Sequence, residues 1–248
     1  MRVAAIYDIH GNLPALEAVL ADIRKAHVDL VVVGGDVLPG PMPCETMTCL
    51  MSLDFAVRFI QGNGDREVLA QRAGTESNAI PEQFRAAMRW VAEQLRPEEA
   101  RLLAGWPPTL HIEIAGLGAV LFCHATPRND TEIFTRRTPD DVLLPIFDGL
   151  GVRLVVCGHT HMQFARTIGH TRVVNAGSVG MPFGEPGAYW LLLGPDVELR
   201  RTAYDLMEAA DRIRATGYPQ AEEFAARNVL HPPSEEETLE LFGRAQVK

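Results

Sequence analysis

The chain has few cysteines, and none of them stand at a spacing that marks a disulfide framework or a zinc knot. Its 248 residues contain four cysteines and no CxxC motif; they are Cys44, Cys49, Cys123 and Cys157. Secreted disulfide scaffolds and structural zinc domains are dense in cysteine at regular spacings. The sequence therefore predicts reduced thiols in a cytoplasmic protein, with Cys123 and Cys157 buried.

Long apolar runs are also missing. No run approaches the roughly 20 residues that a membrane-spanning helix requires. The apolar stretch at the start of the chain is interrupted by Asp8, His10 and Asn12, which does not fit a signal peptide. We expect no membrane segment.

Positive charge is scarce, with 23 Lys and Arg against 32 Asp and Glu and a net charge of −9. Proteins that bind long nucleic acids use clustered Lys and Arg, so we expect no such partner. A small phosphorylated substrate is still compatible with this negative net charge, because a bound metal ion can make the local electrostatic field positive. The sequence is also compatible with a homo-oligomer.

The apolar pattern predicts a single α/β domain over residues 1–248, since no repeat, linker or boundary interrupts it. Buried-strand patterns alternate with amphipathic helices in the first half, which indicates a parallel βαβ core. The second half is rich in strands and predicts a mixed or antiparallel sheet. We expect a helical insert at about 65–104 and a helical tail at about 204–248, which packs on the core or on another subunit.

Side chains that can ligate metals stand at the ends of five predicted strands. The first two, Asp8 and His10, face the same side of an extended backbone. The full set is Asp8, His10, Asp36, Asn63, His124, His159 and His161. Ligand sites of parallel sheets lie outside the carboxyl ends of the strands, so one shared sheet edge would gather the whole set.

Oxygen and imidazole ligands together suit Mn, Fe, Zn, Co or Ni ions. Seven ligands exceed one tetrahedral site and suit two ions, roughly 3.5–4 Å apart, that share a carboxylate. Taken singly, each residue has a plainer interpretation. Asp8 and Asn12 can cap the first helix, His124 can be a core histidine, and Asp36 is a common type of strand-end acid. His159 and His161 already favour metal as a pair, and the assignment of the other residues depends on the whole set.

Five motifs in order resemble the calcineurin-like metallophosphoesterase superfamily and its small prokaryotic, YfcE-like branch. They are Asp8-x-His10, Gly35-Asp36, Gly62-Asn63, His124 and Gly158-His159-x-His161. The segment "NAGSVGMP" at 175–182 resembles "NPGSVGQP" of that branch. The resemblance covers residues 1 to about 200 and implies a four-layer α/β/β/α sandwich of two packed mixed sheets with flanking helices.

The resemblance also implies a reaction and a ligand set. One metal would take Asp8, His10, Asp36 and His161, and the other Asp36, Asn63, His124 and His159, with Asp36 bridging. A metal-bound hydroxide would attack phosphorus, and the ions would neutralise the developing charge. The implied cofactors are two divalent ions, Mn first, with Fe, Zn, Ni or Co as alternatives.

One departure from the family bears on the substrate. Many relatives carry a His after the GN Asn, where it protonates the leaving oxygen, whereas this chain has Gly64. General acid catalysis contributes about 10²–10⁴-fold, so we expect a good leaving group in a small, nucleotide-like phosphodiester, or Asp65 as a substitute acid. Asp65 is equally well explained as a helix N-terminal residue. Arg66 and Arg128 are candidates for holding phosphate, with surface salt bridges as the alternative.

Two other functions remain open at this stage. A non-catalytic metal-binding scaffold on the same fold is one, because some relatives act through protein contacts. Hydrolysis of a non-phosphate ester is the other. We interpret Phe84, Trp90 and Trp106 as core of the helical insert, although the insert could also overhang the site.

Overall fold

The computed structural model describes residues 1–75 and 80–245. The strands are β1 (Val3–Ile6), β2 (Leu30–Val33), β3 (Ala56–Phe59), β4 (Thr109–Ile114), β5 (Gly118–Cys123), β6 (Leu154–Cys157), β7 (Gln163–Ile168), β8 (Thr171–Ala176), β9 (Ala188–Leu193) and β10 (Val197–Thr202). The helices are α1 (Leu13–Lys25), α2 (Pro43–Met51), α3 (Asn63–Arg72), α4 (Glu82–Gln94), α5 (Pro97–Ala104), α6 (Asp140–Phe147), α7 (Leu206–Arg214), α8 (Ala221–Phe224) and α9 (Glu235–Gly243). A π-helical segment, Ala225–Leu230, continues α8. Residues 76–79 of the predicted insert and 246–248 of the predicted tail lie outside the described residues.

The strands form two five-stranded mixed sheets. The first has the order β10-β9-β1-β2-β3, and the second has the order β4-β5-β6-β8-β7. Three strands run parallel in each sheet: β1, β2 and β3 in the first, and β5, β6 and β8 in the second. Strands β4 and β5 form an antiparallel hairpin at one edge of the second sheet.

Alternation along β1 shows how the layers arise. Val3 and Ala5 lie in the apolar cluster between the two sheets, whereas Ala4 and Ile6 lie in the cluster under the helices that cover the first sheet. This is the period-two pattern of a strand buried on both faces. A third cluster joins the second sheet to α6. The predicted four-layer α/β/β/α sandwich is confirmed.

The helical insert packs partly as expected. Trp106 stacks on Phe59 with ring centroids 4.5 Å apart, and Trp90 packs edge-on against Tyr218 at 5.6 Å. Both are therefore in packed positions. The expectation that Phe84 belongs to the core is wrong, because its side chain in α4 is 44% exposed.

The tail packs on the core of its own chain, which is one of the two arrangements expected. Arg212 of α7 pairs with Glu17 of α1 at 2.7 Å, and Ala209 and Ile213 are buried in the cluster over the first sheet. Ser234 caps α9 in a capping box with Glu237, as the sequence spacing predicts. Within residues 1–75 and 80–245, no helix combines the length and apolar character needed to cross a membrane.

Candidate metal centre

The structure brings all seven predicted ligands together where the carboxyl ends of the parallel strands of both sheets meet. Two groups of side chains each place their ligand atoms within 4.8 Å of one another. The first group is Asp8, His10 and His161, and the second is Asp36, His124 and His159. The side-chain amide of Asn63 lies 3.1 Å from His124 Nε2, beside the second group. Strand ends that are distant in sequence therefore form one continuous cluster.

Asp36 stands between the two groups. Its Oδ2 lies 3.7 Å from His10 Nε2, and its Oδ1 lies 3.5 Å from His124 Nε2. The backbone N–H of Gly64 donates to Oδ1 at 2.7 Å and fixes the carboxylate. Each oxygen thus faces one group, which is the geometry that a bridging carboxylate needs.

The backbone adopts a rare conformation at these residues. Among the described residues, six non-glycine residues have a positive φ, and five of them belong to the predicted ligand set. They are Asp8 (53°), His10 (47°), Asp36 (49°), His159 (68°) and His161 (57°). The left-handed conformation costs an L-residue about 1–2 kcal/mol, and such strain collects at functional sites. This conformational cost therefore falls at residues whose side chains form the cluster.

Backbone carbonyls orient three of the imidazoles. The three Nδ1–carbonyl pairs are His10 with Pro39 (3.2 Å), His124 with Gly34 (3.0 Å) and His161 with Met181 (2.7 Å). Because a carbonyl oxygen only accepts, Nδ1 carries the proton in each neutral ring, and Nε2 presents its lone pair to the cluster. This is the usual support of a metal-ligating histidine, and spacing in the sequence does not reveal it.

The cluster fits a bound cation. The Nε2 atoms of His10 and His161 lie only 3.3 Å apart, although neither carries a proton in the neutral ring. Asp8 Oδ1 is buried without a hydrogen-bond partner among the described residues, and it lies 3.4 Å from His161 Nε2. Converging lone pairs repel one another unless a positive charge lies among them. The donor set therefore suits divalent metal ions.

The pKa shifts of the clustered residues also agree with a bound cation. Burial would raise the pKa of Asp36, but His124 and the other imidazoles outweigh it and hold the pKa below its ordinary value. Burial, joined by the charge of His124, lowers the pKa of His159 to about 4. Burial would also lower the pKa of His124, yet the carboxylate of Asp36, with that of Asp8, raises it to about 10. Positive charge is thus drawn to the space between the carboxylates.

The segment 175–182 carries none of the predicted ligands but holds the loops that do. Asn175 Nδ2 donates to the carbonyl of Gly158 at 2.6 Å, just before the GHxH histidines. Ser178 Oγ donates to the carbonyl of Asp8 at 2.7 Å and accepts from the N–H of Met181 at 2.8 Å. Sequence reasoning missed these supporting roles, and its only signal was the similarity of the segment to a family motif.

Asp65 lies beside the cluster, but its carboxylate is occupied. Its Oδ1 accepts from the N–H of Leu38 at 3.0 Å, and its Oδ2 accepts from the N–H of Gly62 at 3.0 Å. Burial, joined by the charge of Asp36, raises the pKa of Asp65 to about 8. The side chain is fully buried and joins the loops of Leu38 and Gly62, which matches the structural alternative, and a role as an acid stays a prediction.

Replacing Asp65 with Asn tests whether it acts as an acid. The amide nitrogen cannot accept one of the two N–H groups, so we expect a loss of roughly 1–3 kcal/mol in the free energy of unfolding. Circular dichroism should show a melting temperature lower by roughly 2–12 °C. Activity per folded, metal-loaded chain should stay within about tenfold of wild type. A loss of about 10²-fold or more at an unchanged melting temperature would instead identify a general acid.

The two predicted phosphate-binding arginines are engaged in ion pairs. Arg66 pairs with Asp130 at 2.8 Å and with Glu67 at 2.7 Å. Arg128 pairs with Glu132 at 2.7 Å, four residues along the chain. The structure therefore matches the salt-bridge alternative for both, and contact with phosphate stays a prediction.

Known proteins resemble this chain over most of its length. An uncharacterized protein of Methanocaldococcus jannaschii is 28% identical, covering 88% of this chain and 94% of that one. A hypothetical protein of Pyrococcus horikoshii shares the fold, with a TM-score of 0.77 and 22% identity over 94% of this chain and 99% of that chain. A metallophosphoesterase of Sphaerobacter thermophilus has a TM-score of 0.70 and 25% identity, covering 92% of this chain and 99% of that one.

The family itself follows from the sequence of the larger part of the chain. Residues 1–194 match the family model described as the calcineurin-like phosphoesterase superfamily domain. This range contains every strand end that contributes to the cluster described above, and the two-sheet sandwich is the fold of the similar structures. The chain belongs to the calcineurin-like phosphoesterase superfamily.

Proposed function

We propose that this chain is a dinuclear metal-dependent phosphodiesterase that hydrolyses a small, nucleotide-like phosphate ester. The observation that carries the proposal is the meeting of two ligand groups at one carboxylate, Asp36, on a backbone strained at five of the seven ligand positions. The resemblance to a metallophosphoesterase of Sphaerobacter thermophilus supports the same reaction class.

The residues divide between two ions. Asp8, His10, Asp36 and His161 would hold one ion, and Asp36, Asn63, His124 and His159 would hold the other. When bound, two divalent ions supply a nucleophile from water and neutralise charge on the phosphoryl oxygens. Manganese suits this mixed oxygen and nitrogen set, as do iron, zinc, nickel and cobalt.

Gly64 restricts which esters can react. A Cβ built at this position would lie 2.4 Å from the carbonyl oxygen of Leu38 and 3.1 Å from Cγ of Asp36. The backbone therefore leaves no room for a side chain where many relatives carry the imidazole that protonates the leaving group. Esters with acidic leaving groups, such as aryl and nucleotide diesters, fit this site better than alkyl monoesters.

We also propose a cytoplasmic location. The cysteines are free, and Cys123 and Cys157 are buried without a disulfide partner. Burial raises the pKa of the Cys123 thiol, which keeps it protonated and unreactive. Free thiols of this kind persist in a reducing compartment.

The test is hydrolysis of bis-p-nitrophenyl phosphate and p-nitrophenyl phosphate after metal removal and Mn²⁺ restoration. We expect Mn²⁺ to restore turnover, and the diester to be cleaved faster than the monoester. Metal content should be measured in the same samples. A chain that holds two ions per molecule and cleaves neither compound would contradict the enzyme and favour a non-catalytic scaffold.

A further inference from the structure

A cavity of about 340 Å³ opens beside the candidate metal centre. His10 and Pro39 line one end of it, and the carbonyl of Pro39 is the partner of His10 Nδ1. Met181, whose carbonyl orients His161, lines it as well. The cavity is therefore continuous with the cluster, and its volume falls within the range of small-molecule sites.

Two distant segments of the chain build the rest of the wall. Helix α4 contributes Phe84, Ala87 and Met88, and the tail contributes Tyr218 and Phe224. These five side chains are apolar or aromatic, and the polar Gln220 and Glu223 of the tail also line the cavity. Against the apolar part of the wall, a charged or strongly hydrated group would lose its hydration without replacement. An uncharged apolar group fits.

The aromatic wall is held in place by its own packing. The rings of Tyr218 and Phe224 lie edge to face with centroids 6.2 Å apart, and Trp90 packs against Tyr218 from the other side. Gln220 Nε2 donates to the carbonyl of Gln83 at 3.2 Å and joins the tail to α4. The cavity is thus preformed, which lowers the entropy cost of binding.

A second observation marks this wall as functional. Arg227 and Asn228 line the cavity from the π-helical segment Ala225–Leu230. Such segments are rare and are frequently found at functional sites. Here the segment places polar side chains at a cavity that is otherwise largely apolar.

We propose that this cavity binds the organic group of the phosphate ester, and that this group is a flat, uncharged ring such as an aryl group or a nucleobase. This inference rests on the proposed function, since the metal centre holds the phosphate to which the ring is attached. Edge and face contacts with Phe84, Tyr218 and Phe224 would select a ring over a small alkyl group.

The test measures binding, so that it does not depend on turnover. Phenylphosphonate and methylphosphonate are titrated calorimetrically into the full-length Mn²⁺-loaded chain. We expect phenylphosphonate to bind about 10- to 100-fold more tightly, because the ring buries apolar area that a methyl group lacks. A phosphonate that carries adenine should bind more tightly than phenylphosphonate if the natural ring is a nucleobase, and no more tightly if it is a simple aryl group.

Phe84→Ala shows whether this cavity causes the preference. Phe84 is 44% exposed, so the variant should fold, and the ratio of the two affinities should fall about five- to tenfold. Leu199→Ala is the matched control, because Leu199 on β10 is also 44% exposed and does not line the cavity. It should retain the wild-type ratio.

The outcomes separate this inference from the proposed function. Equal affinities for the two phosphonates, or a preference that Phe84→Ala leaves unchanged, would overturn the cavity assignment even in an active enzyme. A Phe84-dependent preference in a chain that hydrolyses no ester would uphold the assignment, while the hydrolytic function itself would fail.

Discussion

Asp36→Asn should lower kcat/KM for an aryl phosphodiester by about 10³-fold or more. The carboxylate faces His10 with one oxygen and His124 with the other, so it is placed to serve both ions. The amide of Asn has one ligating oxygen and no charge, and it cannot bridge two cations. Elemental analysis should find fewer than two ions per chain in the variant.

The matched control for this experiment is Asp54→Asn. Asp54 pairs with Arg24 at 3.3 Å on the surface, and its side chain is 76% exposed, so neither activity nor metal content should change. Both variants should unfold cooperatively, which excludes a folding defect as the cause. An Asp36→Asn chain with two bound ions and wild-type turnover would show that Asp36 does not bridge.

Gly64→Ala should damage both stability and activity. The new Cβ would lie 2.4 Å from the backbone oxygen of Leu38, which cannot move aside as a flexible side chain can. Overpacking of this kind costs about 1–3 kcal/mol. Displacement of Asp36 by even about 1 Å would lower turnover about 10²-fold. Thermal unfolding and diester hydrolysis measure the two effects, and Gly64→His should fail in the same way.

Gly105→Ala provides the control for steric effects. Its nearest contact would be the carbonyl oxygen of Leu102 at 3.4 Å, an ordinary van der Waals distance, so stability should change little. A Gly64→His variant with an unchanged melting temperature and faster cleavage of alkyl esters would contradict this explanation. It would show that the loop at Leu38 can move aside and that the missing imidazole can be restored.

The candidate ligands could be predicted from the sequence because their signals are local. An acid or imidazole directly after a buried apolar run marks a strand end, and parallel strands bring such ends together. The alternation of strands and helices indicated the parallel βαβ core, whereas the four layers were expected from the resemblance to the superfamily. Asp8 and His124, more than a hundred residues apart, meet through topology, with His124 Nε2 3.8 Å from Asp8 Oδ1.

What sequence reasoning missed depends on tertiary contacts. The carbonyls that orient His10 and His161 belong to Pro39 and Met181, and any residue can offer a backbone carbonyl. The expected burial of Phe84 was wrong because its side chain lines a cavity between α4 and the tail. The sequence of α4 alone does not show this cavity. The Arg128–Glu132 ion pair, by contrast, joins two residues only four apart in a non-helical segment, so it is a local contact that needs no tertiary structure.

The candidate ligands come from both sheets, and this has a consequence for how the molecule opens. Asp8, His10, Asp36 and Asn63 follow strands of the first sheet, and His124, His159 and His161 follow strands of the second. Two bound ions would cross-link the layers at one edge, so the sheets could not separate without breaking metal–ligand bonds. Metal dissociation and amide hydrogen exchange in the central strands would then share one opening event and report the same rate.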